Sequence, residues 1–162
     1  MVSIEKESAS SELVGNKYFN VDKYKARMKM TFETFLIEAN ARGVTAKKKI
    51  YCHVVGLGLG VWELPGCNNQ TYHFLTAFRD ALVSLSEKKA IGNIGVIDFS
   101  YIDGKDCFSD INFVKIKFSH RNPFAILDSE VRENYKYRVS QKMFISKKDA
   151  QLTNEIFWGY IY

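Results

Sequence analysis

The chain has 162 residues, 46% hydrophobic and 25% charged, including 12 Phe, 9 Tyr and 2 Trp. A chain of this length and make-up buries its own core, which argues against wholesale disorder and against any need for disulfide or metal staples. The net charge of +5 and the pI near 9.0 suit a solvated surface and a polyanion partner equally well.

No apolar run approaches the roughly 20 residues of a membrane span, and the leading MVSIEKESASSE has no signal-peptide core. The expected location is therefore intracellular, cytoplasmic or nuclear, with no membrane partner. Cys52, Cys67 and Cys107 are widely spaced and form no C-x-x-C, while His53, His73 and His120 sit in separate segments. Neither a metal site nor a cofactor is expected.

Residues 1–20 are polar and non-periodic and read as a flexible lead-in to one domain spanning 21–162. Asp22 is a suitable cap for a helix running to about Ala41, with Tyr24, Met28, Phe32, Phe35, Leu36 and Ala39 on one face and Gly43 as its stop. Ile50–Val55 reads as an interior strand. A turn at Pro65-Gly66 follows, then a second helix capped by Asn68 or Asn69, with the stripe Tyr72, Leu75, Phe78, Leu82 and Leu85.

GNIGVIDFSYI is a second strand, and FVKIKFS, with lysines alternating with apolar residues, is a strand near an edge. YKYRVSQKMFI and EIFWGYIY are further strand-like runs, and Pro123 in NPFAIL restricts Asn122 to extended or turn geometry. Strand, helix and strand across residues 50–101 imply a crossover and a parallel pair. The expected class is α/β: one domain with a mixed, largely parallel sheet flanked by helices.

HVVGLGLGVW places glycines at 56, 58 and 60. A dinucleotide loop needs G-x-G-x-x-G and a Walker-A loop needs G-x-x-x-x-G-K-[ST]; both patterns fail here. Continued as a strand, the segment would carry its glycines on one face, leaving room for a ligand or for a packed backbone.

The order VVGLGLGVWELPGCNNQTYHFLTAFRDALVSL, IGVIDFSYI, VKIKFSHRNPFAIL, NEIFWGYI resembles a divergent macrodomain-like family that binds ADP-ribose and includes a bacterial effector that removes ADP-ribose from modified protein side chains. FSHRNPFAIL is similar to the family's asparagine-containing loop, and TNEIFWGYIY to the G-N-E-x-W/F-x-G stretch of glycohydrolase-type members, with Thr153 in place of the leading glycine. No G-G-G-x-x-Q-E-E signature is present. The sequence stops directly after the second match, so the domain is expected to be incomplete at its C-terminus or closed by another segment.

The resemblance implies an ADP-ribose-binding module, with ADP-ribose or an ADP-ribosylated protein as partner. Gly58, Gly60, Asn122, Asn154, Glu155, Phe157 and Gly159 would line the ligand, and Asp149 would position water for hydrolysis. Cleavage passes through an oxocarbenium-like state, which a carboxylate stabilises. Asp98 lies within a strand and is expected to pair with an arginine or backbone N–H, whereas Asp103, Asp106 and Asp110 in DGKDCFSD are expected to form turns.

Cys67, beside the Pro-Gly turn, is a candidate exposed thiol, and nothing in the sequence pairs it with a base. Two other readings stand beside this one. The first is a non-catalytic interaction domain or homo-oligomer using the aromatic C-terminus. The second is a nucleic-acid binder, for which no RNA- or DNA-binding motif is found.

Overall fold

A computed structural model describes residues 11–60, 63–104 and 110–120, together with the backbone of 135–140. Strands β1 (Ser11–Val14) and β2 (Lys17–Asn20) form an antiparallel hairpin in which Val14 faces Lys17. The expected lead-in is thus ordered structure from Ser11. The connection is the two-residue Gly15-Asn16, with Gly15 at φ +62°, a conformation that suits glycine.

Helix α1 (Val21–Ala46) is capped by Asn20, whose side chain accepts from Lys23 N at 2.8 Å. Asp22 is not the cap; it lies in the first turn, where it faces the positive end of the helix dipole. Phe32, Phe35, Leu36, Ala39 and Gly43 form the buried stripe.

Gly43 does not end the helix. The chain continues to Ala46, and Lys47 takes the left-handed conformation at φ 52°, with its N–H on Val44 O at 3.1 Å. Gly43 serves close approach instead: a Cβ there would lie 2.8 Å from Asn93 Cβ and 2.9 Å from Ile50 Cγ1.

Strand β3 (Lys49–Val55) is interior, as expected, between β4 (Ile94–Ser100) on one side and β6 (Tyr135–Ser140) on the other. Strand β5 (Lys115–Ser119) lies outside β4, giving the order β5-β4-β3-β6 with every pairing parallel. The antiparallel pairings of the described residues are the hairpin and the isolated Ile111–Val114 bridge.

Helix α2 (Gln70–Glu87) makes the crossover from β3 to β4. Its stripe is Leu75, Phe78, Leu82 and Leu85 with Phe74, Ala77 and Ala81, while Tyr72, expected in the stripe, is exposed. Rings run through the core from α1 to β5: Phe32 meets Phe78 at 4.7 Å, Phe78 meets Phe99 at 5.0 Å, and Phe99 stacks on Phe118 at 5.2 Å. The molecule is a parallel α/β domain whose helices cover one sheet face through Ile50, Cys52, Val54, Ile97 and Phe99.

Candidate functional site

The strand order reverses at β3. From β3 the chain steps outward to β4 and β5, then returns to β6 on the opposite edge of β3. In open parallel sheets, ligands bind in the crevice outside the carboxyl ends of the strands at such a reversal. The residues leaving β3 there are Gly56–Gly60.

These glycines are not a continuing strand. The ladder ends at Val55, and the chain turns with Leu59 N on Gly56 O at 3.2 Å and Glu63 N on Gly60 O at 2.8 Å. The expected side-chain-free face is therefore absent. Gly58 is at φ +78° with open space where a Cβ would sit, so conformation selects glycine there. Gly60 also meets open space.

Gln70, at the first position of α2, clasps this turn. Its Nε2 donates to Gly58 O at 2.9 Å and its Oε1 accepts from Leu64 N at 2.8 Å. Gln70 directly follows the asparagines expected to cap the helix, and no local motif marks its role. Asn69 is the N-cap residue and makes no side-chain capping bond. Beneath the turn, a narrow cleft is lined by Phe32, Phe35, His53, Val55, Leu57 and Phe78.

The N-terminal hairpin closes one side. Glu12 Oε1 lies 2.8 Å from Nε2 of the buried His73, and Phe19 packs against Tyr24 at 5.1 Å and against His73 at 6.1 Å. Burial pushes the Tyr24 hydroxyl up to about 12, with the neighbouring Gln70 side chain pulling the other way.

On the sheet face away from the helices, Asp98 is fully buried. Its carboxylate accepts from Tyr51 Oη at 2.5 Å and from Ser119 Oγ at 2.7 Å. Its described partners are hydroxyls rather than the expected arginine or backbone N–H. Asp110 does act as a turn former, accepting from Ile116 N at 2.7 Å. Asp103 is exposed just beyond the carboxyl end of β4.

Cys67 is buried rather than exposed, and burial raises its thiol pKa, as it does that of Cys52. Both are poor nucleophiles in consequence. Of the predicted ligand residues, Gly58 and Gly60 fall at the crevice. Asn122, Asp149, Asn154, Glu155, Phe157 and Gly159 lie outside the described residues, as do Asp106 and the aromatic terminal run. No helix among the described residues is long and apolar enough to cross a membrane.

This geometry meets a clear kinship. The family described as ADP-ribosylhydrolase MavL-like matches residues 3–145. The chain is 38% identical over 90 residues to the ADP-ribosylarginine hydrolase CG3568 of Drosophila melanogaster, covering 56% of this chain and 17% of that protein. It is 35% identical over 83 residues to the ADP-ribosylarginine hydrolase CG2909 of the same organism, covering 51% of this chain and 16% of that protein. The chain thus spans under a fifth of the length of these relatives. It belongs to the MavL-like ADP-ribosylhydrolase family.

Proposed function

We propose that this chain binds ADP-ribose at the carboxyl end of its sheet and hydrolyses ADP-ribose from modified protein side chains, with arginine as the modified residue. The observation that carries the reading is the family match over residues 3–145, joined to a glycine turn at the strand-order reversal. The two fly relatives, both ADP-ribosylarginine hydrolases by name, favour arginine.

In this reading the diphosphate rests on backbone N–H groups around Gly58 and Gly60, near the N-terminus of α2. Asn122, Asn154, Glu155, Phe157 and Gly159 complete the lining. The bond broken joins the ribose anomeric carbon to a guanidinium nitrogen. As it lengthens, positive charge grows on the ring; water adds to the carbon, its proton is lost to a base, and the guanidine leaves. Asp149 is the carboxylate proposed to position that water.

Titration with ADP-ribose tests binding. Ligand at about a hundred times Kd stabilises a protein by roughly 2.7 kcal/mol, so a complete absence of both heat and thermal shift defeats the reading. Release of ADP-ribose from an arginine-modified protein tests catalysis, and binding without release identifies a reader. Asp149→Ala is expected to abolish release while leaving binding intact. Unchanged release in that variant, with loss in Asp103→Ala, moves the carboxylate role to the end of β4.

A further inference from the structure

Four described residues other than glycine have positive φ: Lys47, Lys89, Tyr101 and Asn112. Lys47 and Lys89 follow helix ends, where left-handed residues are common, and asparagine tolerates this conformation in a turn such as that at Asn112. Tyr101, at φ 57°, has neither excuse; for a bulky residue that geometry is an outlier. It is held by its N–H on Ser119 O at 2.8 Å, one step past the β4–β5 ladder. Strain held in this way concentrates at functional sites.

The strain places a large ring in the open. Tyr101 is 61% exposed, and its ring meets that of His120 at 5.7 Å and 85°. Two residues earlier on each strand, Phe99 and Phe118 stack and seal the core. Tyr101–His120 is thus a second cross-strand ring pair turned outward. It lies at the same sheet end as the glycine turn, because Val55 pairs with Ser100, so Gly56 and Tyr101 each follow the last pair of adjacent strands. Asp103, exposed, follows two residues later.

We infer that Tyr101, with His120 at its edge and Asp103 beside it, receives the guanidinium of the modified arginine. The inference rests on the proposed function and names the residues that select its substrate. A carboxylate next to an anionic diphosphate is unfavourable unless a cation comes between them. A guanidinium fills that role, because it is planar, remains charged, and stacks on a tyrosine face more readily than an ammonium does. Tyr101 is a specificity residue rather than the group that activates water.

The test measures ADP-ribose affinity, the melting temperature, and kcat/KM on arginine-linked and serine-linked ADP-ribosyl peptides. Tyr101→Gly is expected to lower arginine-linked kcat/KM about tenfold, the size of a partly desolvated cation–π contact. It leaves ADP-ribose affinity unchanged and raises the melting temperature, since glycine adopts φ 57° without strain. Tyr101→Phe keeps the ring and restores the rate. A parallel loss of ADP-ribose affinity overturns the inference, because the ring would then stack on the base. So does an equal fall on the serine-linked peptide, or no change on either. Wild-type protein that neither binds ADP-ribose nor releases it removes the proposed function, and the inference with it.

Discussion

The two ends of the parallel sheet are built on opposite principles. At the amino end the chain closes tightly around Gly43. Gly43 lets α1 approach Ile50 and Asn93, Asn93 N donates to Asn40 Oδ1 at 2.8 Å, and Lys49 Nζ reaches Gly92 O. At the carboxyl end the same strands open into a glycine turn with empty space over Gly58 and an exposed ring at Tyr101. At one end Gly43 brings chains together, and at the other Gly58 bends a chain away. A glycine in this fold therefore has no fixed meaning until its neighbours are known.

Substitutions sharpen that contrast, the largest expected effect coming from the buried link between the ends. Asp98→Ala removes the acceptor of both the Tyr51 and Ser119 hydroxyls and is expected to cost about 3 kcal/mol in denaturant unfolding. Gly43→Ala comes next. In an open helix this change gains up to about 1 kcal/mol, but contacts of 2.8 and 2.9 Å turn it into overpacking that costs about 2 kcal/mol.

Gly58→Ala meets no atom, so only its φ of +78° opposes it, at about 1 kcal/mol. Its melting temperature is expected to fall less than that of Gly43→Ala. If the order of these two reverses, the contrast between the ends fails.

A separate effect appears only at alkaline pH. Tyr24 is raised to about 12 from 10.0, so the folded state holds its proton more tightly than the unfolded state does. That contribution is fully present below pH 10 and is lost as pH rises through 12. Tyr24→Phe should flatten this slope in a pH series of melting curves.

Much of the fold was legible because its signals are local. The apolar runs of β3 and β4, the stripe of α2 and the alternating lysines of β5 each lie within a single segment. What misled was information carried across the fold. Gly43 looks like a helix stop until Ile50 and Asn93 are brought against it. The 11–20 hairpin had a usable signal in Gly15-Asn16, but strands of four residues give too little alternation to stand out.

The site was less readable for the same reason. The glycines of Gly56–Gly60 stand out in the sequence, but nothing local marks Val55 as the last paired residue, so their spacing alone suggests a continuing strand. Tyr101 and His120 meet only through the β4–β5 register, and Gln70 gains its importance from a carbonyl twelve residues earlier.

The clasp made by Gln70 also bears on the sheet below it. One amide side chain ties Gly58 and Leu64 to the start of α2, so the ends of the intervening stretch are fixed independently of what lies between them. Lengthening a loop whose ends are already tethered costs only about 0.6 kcal/mol per doubling. The sheet beneath is therefore insulated from changes in the length of the crevice rim.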